Sequence, residues 1–293
     1  MTARTIIQSI TPPFLVDAAR WVRAKVTGSP KDLPVWEHVA EGWSRRESDP
    51  NVRGWDVDSI RHWHSERFPT WSRAFEAPNP LGASEYAREP TEQHLHSHNV
   101  HVSFAYVLTF TSGGRKSLSI LDWGGGIGQY YLLARATLPG VALSYHCKDL
   151  PLLCQTGREL LPEVTFSEDE RCLEQRYDLV LASNSLQYSE DWVDLLGKLA
   201  ASAREYVYVA QLPTVLETPS FVAVQRPYAH GYDTEYLGWI LNRESFLGAA
   251  ATSGLRLARE FFFDNPVAVH GIAEPAVHRG FLLRPVAASN GAR

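Results

Sequence analysis

The sequence predicts an α/β fold: a mostly parallel sheet with both faces covered, closed by an antiparallel last strand and preceded by a mostly helical cap. Three observations support this fold class. From residue 117 onward, apolar runs alternate with helical segments, which is typical of a parallel sheet flanked by helices. A glycine-rich turn follows the first of these runs, and the chain ends in two apolar runs that no helical period connects.

The first quarter of the chain differs in composition from the rest. It holds six of the nine tryptophans, at positions 21, 36, 43, 55, 63 and 71, and it shows no alternating strand pattern. Short helices joined by Pro and Gly turns fit this composition best, and we expect them near 14–26, 57–67 and 92–111. We therefore assign residues 1–112 to a helical cap that contributes to a substrate site, and residues 113–293 to the domain that contains the sheet.

Five parallel strands are predicted at 117–121, 141–146, 164–166, 177–182 and 205–210, with helices at 128–137, 152–161 and 191–204. The second of these helices stops at Pro162, which cannot continue it. Residues 213–243 contain Pro, Gly and Tyr and are expected to form an ordered, substrate-binding insertion. The apolar runs 257–263 and 280–284 predict the closing antiparallel hairpin.

The overall composition argues against several classes of protein. The formal net charge is −5, which disfavours binding to a nucleic-acid backbone. The three cysteines are odd in number and have no CxxC spacing, so we expect no disulfide framework, no zinc ribbon and a cytoplasmic location. No stretch approaches 18 uncharged apolar residues, so no membrane span is expected.

The strongest motif is a glycine loop at the point where the first strand ends and a helix begins. Glycines let the backbone approach a ligand closely, and a helix N-terminus offers free N–H groups. The dinucleotide fingerprint GxGxxG fails in both registers, because its third glycine would fall at Gln129 or at Tyr131. A dehydrogenase is therefore disfavoured.

The loop instead has acid and glycines at alternate positions: Asp122, Gly124, Gly126 and Gly128. This spacing resembles the first motif of class I S-adenosylmethionine (SAM)-dependent methyltransferases. The resemblance implies that the acid faces the methionine moiety and that the glycines make room for the cofactor. The alternative is a tight structural turn.

A second acid, Asp149, stands at the end of the next strand with Leu150 after it. An acid at this place can accept hydrogen bonds from ribose hydroxyls, although it could also simply cap a helix. After the third strand, where this fold usually contacts adenine, Glu168 and Asp169 are candidates for that contact, and a solvated acidic turn is the alternative.

The exit of the fourth strand should line the space between cofactor and substrate, because ligands bind beyond the carboxyl ends of parallel strands. The residues expected to face the cofactor there are Ser183 and Asn184, and those expected to face the substrate are Gln187 and Tyr188.

Further stretches make the resemblance more specific. They are Trp36-Glu-His-Val, Gly54-Trp-Asp, Leu121-Asp-Trp-Gly-Gly-Gly-Ile-Gly, Ser183-Asn-Ser-Leu-Gln-Tyr, Val224-Gln-Arg-Pro-Tyr and Tyr236-Leu-Gly-Trp-Ile. They resemble a family of bacterial methyltransferases often encoded among polysaccharide and secondary-metabolite biosynthesis genes. The resemblance implies a Rossmann-like, seven-stranded methyltransferase sheet with an antiparallel last strand, and SAM as the cofactor with S-adenosylhomocysteine as its product. It says little about the acceptor.

Methyl transfer to an oxygen of high pKa needs a general base, most often His, Asp or Glu. In the stretch Gln93-His-Leu-His-Ser-His-Asn-Val-His, His94, His98 and His101 share one helix face. A polar face is favoured over a metal site there, so no metal is predicted. The candidate bases are His98, His101 and His230, and Tyr228 and Asp233 are expected to contact the substrate.

The sequence therefore predicts a SAM-dependent methyltransferase that modifies a small-molecule acceptor, a sugar or a secondary metabolite, at oxygen. The alternative is a non-catalytic protein of the same fold that scaffolds a biosynthetic complex. No nucleic-acid or membrane partner is expected. A homodimer is left open, as are the acceptor, the attacked atom and the identity of the base.

Overall fold

The computed structural model describes residues 33–76 and 94–286. The helix expected at 14–26 lies outside these residues, as do the first two positions of the one expected at 92–111. The described part of the cap contains a short helix α1 (Arg45–Ser48) and two long helices, α2 (Asp58–Glu76) and α3 (Leu95–Ser112). Helix α3 ends at Gly113, whose φ of 52° is the left-handed conformation typical of a helix end.

A seven-stranded sheet forms the centre of the molecule. Its strands are β2 (Ser117–Trp123), β3 (Ala142–Lys148), β4 (Thr165–Ser167), β5 (Tyr177–Ser183), β6 (Ala203–Val215), β9 (Leu255–Val267) and β10 (Ala276–Pro285). They lie in the order β4-β3-β2-β5-β6-β10-β9. The first five are parallel, and β10 is antiparallel to both of its neighbours. The predicted Rossmann-like sheet with an antiparallel last strand is thus confirmed.

Four further helices connect these strands, and each begins where its sequence favours a helix start. They are α4 (Gln129–Thr137), α5 (Pro151–Leu160), α6 (Trp192–Ser202) and α7 (Arg243–Thr252). Helix α5 has proline in its first turn, where no N–H partner is lost. The side chain of Asp191 caps α6 by accepting a hydrogen bond from the Asp194 N–H.

Three more strands extend the sheet where the sequence predicted none. Strand β1 (Trp36–His38) lies in the cap, and the insertion forms an antiparallel hairpin of β7 (Phe221–Gln225) and β8 (Tyr236–Asn242). Strand β8 pairs in parallel with the last two residues of β6. The cap is mostly helical, as expected, but neither β1 nor the hairpin of the insertion was predicted from the sequence. These strands are short or buried on both faces, so they show no polar–apolar alternation.

Helices cover both faces of the central sheet. On one face a continuous apolar core joins the cap to the sheet: Ile60 and Trp63 of α2 and Phe104 of α3 pack in the same cluster as Ile120 of β2 and Leu133 of α4. Helices α6 and α7 pack on the opposite face. No helix among the described residues has the length and apolar character needed to cross a bilayer.

Candidate functional site

The glycine loop between β2 and α4 requires its glycines. Gly124, Gly126 and Gly128 have φ values of 68°, 62° and 84°, a region that residues with a Cβ atom rarely adopt. At Gly124 an added Cβ would also lie 2.3 Å from the Cβ of Ser185. The loop therefore passes directly beneath the residues at the exit of β5.

Asp149 follows β3 and lies against this loop. Its Oδ2 accepts a hydrogen bond from the Gly126 N–H at 2.6 Å, and its Oδ1 accepts one from the Leu150 N–H at 2.7 Å. The carboxyl is almost fully buried. Burial raises its pKa to about 6, although the two N–H donors act in the opposite direction. The loop thus fixes a carboxylate whose remaining lone pairs can accept hydrogen bonds from a ligand.

Asp149 lines a cavity of about 480 Å³ at the carboxyl ends of the strands. The glycine loop forms its floor, and Trp55 and His64 of the cap reach its wall. Three buried atoms of lining residues have no hydrogen-bond partner: Trp55 Nε1, His64 Nδ1 and Gln129 Oε1. Burial and the nearby Arg67 lower the pKa of His64 to about 4, so this ring is neutral at physiological pH. These three lining residues therefore hold buried polar atoms without partners close to the cavity.

Asp122 does not reach this cavity, although the resemblance implied that it faces the cofactor. It is fully buried beneath the loop, where its Oδ2 accepts a hydrogen bond from the Tyr145 hydroxyl at 2.8 Å. An added Cβ at Gly125 would lie 2.3 Å from the same oxygen. The side chain points below the loop because the pleat of β2 directs it there, and it supports the loop from underneath.

The two residues expected to contact adenine do not line this cavity. Glu168 and Asp169 are exposed and form ion pairs with Arg158 and Arg171, and neither lines the cavity. Glu170, the next residue, does line it. Asp169 instead caps the short 3₁₀ turn that begins at Glu170.

At the exit of β5, Ser183 and Asn184 line the cavity as expected. Asn184 and Gln211 have φ values of 51° and 54°, which is unusual for residues other than glycine and is often associated with functional sites. The Gln211 amide donates hydrogen bonds to the hydroxyls of Tyr130 and Ser183 at 3.1 and 3.0 Å. Two strained residues therefore meet at this point.

A second cavity, also of about 480 Å³, adjoins the first. The two share Gln129, Tyr130, Asn184 and Gln211 in their walls. The remaining walls of the second cavity come from β1, α2, α3, β9, β10 and the hairpin of β7 and β8. They carry five histidines: His94, His96, His101, His230 and His278. We call this second cavity the histidine chamber.

The histidine chamber contains two of the three predicted bases, His101 and His230, whereas His98 is exposed and lines neither cavity. Of the three histidines predicted to share one helix face, His94 precedes the helix with an extended backbone. His96 was missed. The buried positions Val100, Phe104 and Val107 of α3 form a stripe that reaches position 96 one turn earlier, and this spacing could have identified it.

The four residues predicted to contact the substrate also lie in different places. Tyr188 lines the first cavity. Gln187 is buried behind the wall and donates a hydrogen bond to Asn184 Oδ1 at 2.6 Å. Tyr228 and Asp233 line neither cavity: the Tyr228 hydroxyl donates to a buried glutamate, and Asp233 forms a surface ion pair. Within 33–76 and 94–286, no group of three or more metal-ligating side chains is placed to hold an ion.

Neither a protein-family model nor a curated protein sequence matches this chain. Among solved structures, it is similar to the CcbJ methyltransferase of Streptomyces caelestis, with 16% identity over 62% of this chain and 89% of that chain and a TM-score of 0.45. The magnesium protoporphyrin IX methyltransferase of Synechocystis matches with 12% identity over 77% and 97%, at 0.43. The 1,6-didemethyltoxoflavin-N1-methyltransferase of Burkholderia thailandensis matches with 14% identity over 64% and 78%, at 0.43.

Proposed function

We propose that this protein is a SAM-dependent methyltransferase that transfers a methyl group to an oxygen of a small-molecule acceptor, a sugar or a secondary metabolite. The observation that carries the proposal is the buried Asp149 carboxylate, held against the Gly126 N–H of a glycine loop at the wall of a cavity. Acid and loop stand at the carboxyl ends of adjacent parallel strands, where α/β proteins bind ligands.

The residues of the first cavity fit this cofactor. Its volume of about 480 Å³ suits a ligand of this size. Asp149 would accept hydrogen bonds from the ribose hydroxyls, and the unpartnered Gln129 Oε1 would accept one from the amino group. When bound, SAM supplies an electrophilic methyl group on a sulfonium. The protein's own contribution is to orient the acceptor, exclude water and take up a proton.

Calorimetric titration with S-adenosylhomocysteine tests this proposal. Asp149→Asn removes the charge of the ribose acceptor, so we expect affinity to fall roughly ten- to hundredfold relative to wild type. Asp169→Asn is the matched control, because Asp169 is exposed and outside the cavity, and it should bind like wild type. No binding by folded wild-type protein would overturn the proposal. Equal weakening in both variants would move the cofactor away from Asp149.

Binding alone does not separate an enzyme from the scaffold alternative. Methyl transfer from SAM to any small molecule, followed by mass spectrometry of the product, excludes the scaffold. Tight cofactor binding without transfer to any acceptor that fills the second cavity would favour it.

A further inference from the structure

We propose that the histidine chamber is the acceptor site, that it takes an uncharged, planar aromatic molecule bearing a hydroxyl group, and that His96 receives the hydroxyl proton. This inference rests on the proposed function, because it assumes that the first cavity holds the methyl donor. It goes further in naming the acceptor class and the base.

The position of the chamber supports an acceptor role. The chamber and the first cavity meet at Gln129, Tyr130, Asn184 and Gln211. Ligands in the two cavities would therefore lie next to each other at these four residues, and in-line methyl transfer requires such direct contact. The strained backbone of Asn184 and Gln211 fixes the wall at that place.

The lining of the chamber selects the class of acceptor. Trp36, Trp71 and Phe75 supply aromatic surface, and the polar groups are amides and imidazoles. Within the described part of the chain, no Lys, Arg, Asp or Glu lines the chamber, whereas Lys148, Asp149 and other charged residues line the first cavity. A nucleoside-diphosphate sugar would need cationic partners for its phosphates. The lining instead suits a neutral aromatic molecule with several hydrogen-bonding groups.

His96 is the best-placed histidine for proton transfer. Its Nε2 lies 3.0 Å from Gln211 Oε1, and its Nδ1 lies 3.4 Å from the Phe263 carbonyl oxygen. Both partners are acceptors. A neutral imidazole carries one N–H and can satisfy one of them, which leaves the lone pair of its other nitrogen to take up a proton. Gln211 in turn connects His96 to the shared wall.

Two of the other titratable groups of the chamber carry no charge near pH 7. These other groups are His94, His101, Tyr130, His230 and His278. Burial lowers the pKa of His278 to about 4, and its ring lies 5.9 Å from that of His96. Burial and Arg67 also lower the pKa of His230. Both rings are therefore neutral near pH 7, and neither repels a proton that arrives at His96.

The transfer step balances with these groups alone. The acceptor oxygen bonds to the methyl carbon while the carbon–sulfur bond breaks, and the electron pair of that bond remains on sulfur. The hydroxyl proton passes to His96, which later releases it to solvent. General-base assistance of this kind contributes about 10²- to 10⁴-fold to a rate.

4-Nitrophenol, whose phenolate absorbs visible light, provides a test that needs no cofactor. We expect it to bind wild-type protein, to resist displacement by UDP-glucose, and to ionise at a lower pH when bound than when free. His96→Asn should retain binding within about threefold but lose the change in ionisation, because an amide cannot take the proton. Failure to bind, or displacement by UDP-glucose, would overturn the acceptor class. An unchanged ionisation in His96→Asn would overturn the role of His96.

Two variants locate the probe and separate this inference from the proposed function. Phe75→Ala removes an aromatic wall of the chamber and should weaken 4-nitrophenol binding at least fivefold while S-adenosylhomocysteine binds normally. Asp149→Asn should show the reverse. Loss of both ligands in one variant with a normal circular dichroism spectrum would contradict two separate sites. A wild-type protein that binds 4-nitrophenol but not S-adenosylhomocysteine would overturn the proposed function, and the chamber would then be a phenol site without a methyl donor beside it.

Discussion

Asp122 and Asp149 are buried carboxyls on adjacent strands, yet they face opposite sides of one glycine loop. Asp149 accepts hydrogen bonds from backbone N–H groups at the cavity wall. Asp122 lies beneath the loop, and one of its oxygens has no partner. Burial raises both pKa values, to about 6 for Asp149 and about 7 for Asp122. The two residues therefore respond to pH in ways that experiments can separate.

For Asp149 we predict proton release on cofactor binding. Ribose hydroxyls donate to the ionised carboxylate, so binding favours deprotonation of a group whose pKa in the free protein is about 6. Affinity for S-adenosylhomocysteine should fall as pH drops below 6. Calorimetry at pH 6 in two buffers of different ionisation enthalpy should detect the released proton, and Asp149→Asn should abolish it. Proton uptake by wild type would contradict the assignment.

For Asp122 we predict an effect on stability. Its carboxyl has a pKa of about 7 when folded, against an ordinary value of 3.8. The folded state therefore holds the proton more tightly, and its contribution to stability is lost as pH rises between these values. Asp122→Asn does not titrate. As pH rises from 5 to 7, the free energy of unfolding of Asp122→Asn should increase relative to that of wild type by roughly 1 kcal/mol per pH unit. Urea denaturation measures this difference.

Asp178 provides the control. Burial raises its pKa, but hydrogen bonds from Ser119 together with the nearby Arg204 guanidinium lower it by more, so the net direction is down. The stability from this carboxylate is present above its unfolded pKa and is lost only in more acidic solution. The difference between Asp178→Asn and wild type should stay constant from pH 5 to 7. If the stability difference for Asp178→Asn changed with pH as much as that for Asp122→Asn, the pH dependence would not be specific to Asp122.

The glycine loop allows a paired substitution. Gly124→Ala places a Cβ 2.3 Å from that of Ser185 at a φ of 68°, so we expect a loss of roughly 1–3 kcal/mol in stability and loss of S-adenosylhomocysteine binding. Gly140 has open space around it and no positive φ. Gly140→Ala should change neither quantity beyond experimental error. Thermal unfolding with and without ligand measures both, and normal binding by Gly124→Ala would show that the loop does not hold the cofactor.

The sequence identified the residues that the local backbone requires better than those that the tertiary fold brings together. The glycine spacing and Asp149 depend on one strand, loop and helix, so their positions could be predicted. His96 and Gln211 are 115 positions apart, and neither belongs to a motif. Only the packing of α3 against β6 and β9 brings them together. The burial of Asp122 beneath the loop could not be predicted, because a motif gives the position of a residue and not the direction of its side chain.

A buried ion-pair cluster holds the hairpin extension, which consists of β7, β8 and the turn between them, against β1. Arg226 follows β7, and its side chain is only 4% exposed. It pairs with Glu37 of β1 at 2.8 Å and with Glu235, which precedes β8, at 3.2 Å. The Tyr228 hydroxyl donates to the same Glu235 oxygen. This explains structurally why Tyr228 belongs to the extension and not to a cavity.

Arg226→Ala should therefore destabilise the protein strongly. It leaves Glu235 buried without its cation, which typically costs about 3–5 kcal/mol. Arg171→Ala removes one partner of an exposed pair and should leave the free energy of unfolding nearly unchanged. Urea denaturation followed by circular dichroism compares the two. If Arg226→Ala were as stable as the surface variant, the cluster would not hold the extension together.

Predictability also differs between elements. The central parallel strands were predicted because helices separate them at regular intervals. Strands β7 and β8 lie in a segment that contains Pro and Gly. Both are buried on both faces, so they lack the polar–apolar alternation that marks an ordinary hairpin. The tertiary environment, which covers β8 with Tyr188 against Gly238, cannot be deduced from that segment alone.

At the scale of the whole molecule, cap and sheet share one core and one pair of cavities. Trp63 and Phe104 of the cap pack with Ile120 and Leu133 beyond residue 112, and Trp55 and His64 reach the first cavity. The proposed division of the chain between residues 112 and 113 therefore separates two parts that share one core. Ligand in the first cavity contacts both parts, so binding should stabilise them together.

We therefore predict that the described parts of cap and sheet unfold in one cooperative transition. Tryptophan fluorescence reports mainly on the cap, and far-ultraviolet circular dichroism reports on the whole chain, so their melting curves should coincide. Phe104→Ala, which removes a side chain that is 1% exposed, should lower both midpoints equally, by the temperature equivalent of about 3–5 kcal/mol. If the fluorescence midpoint alone shifted and the circular dichroism curve kept a second transition, the cap would unfold as a separate unit.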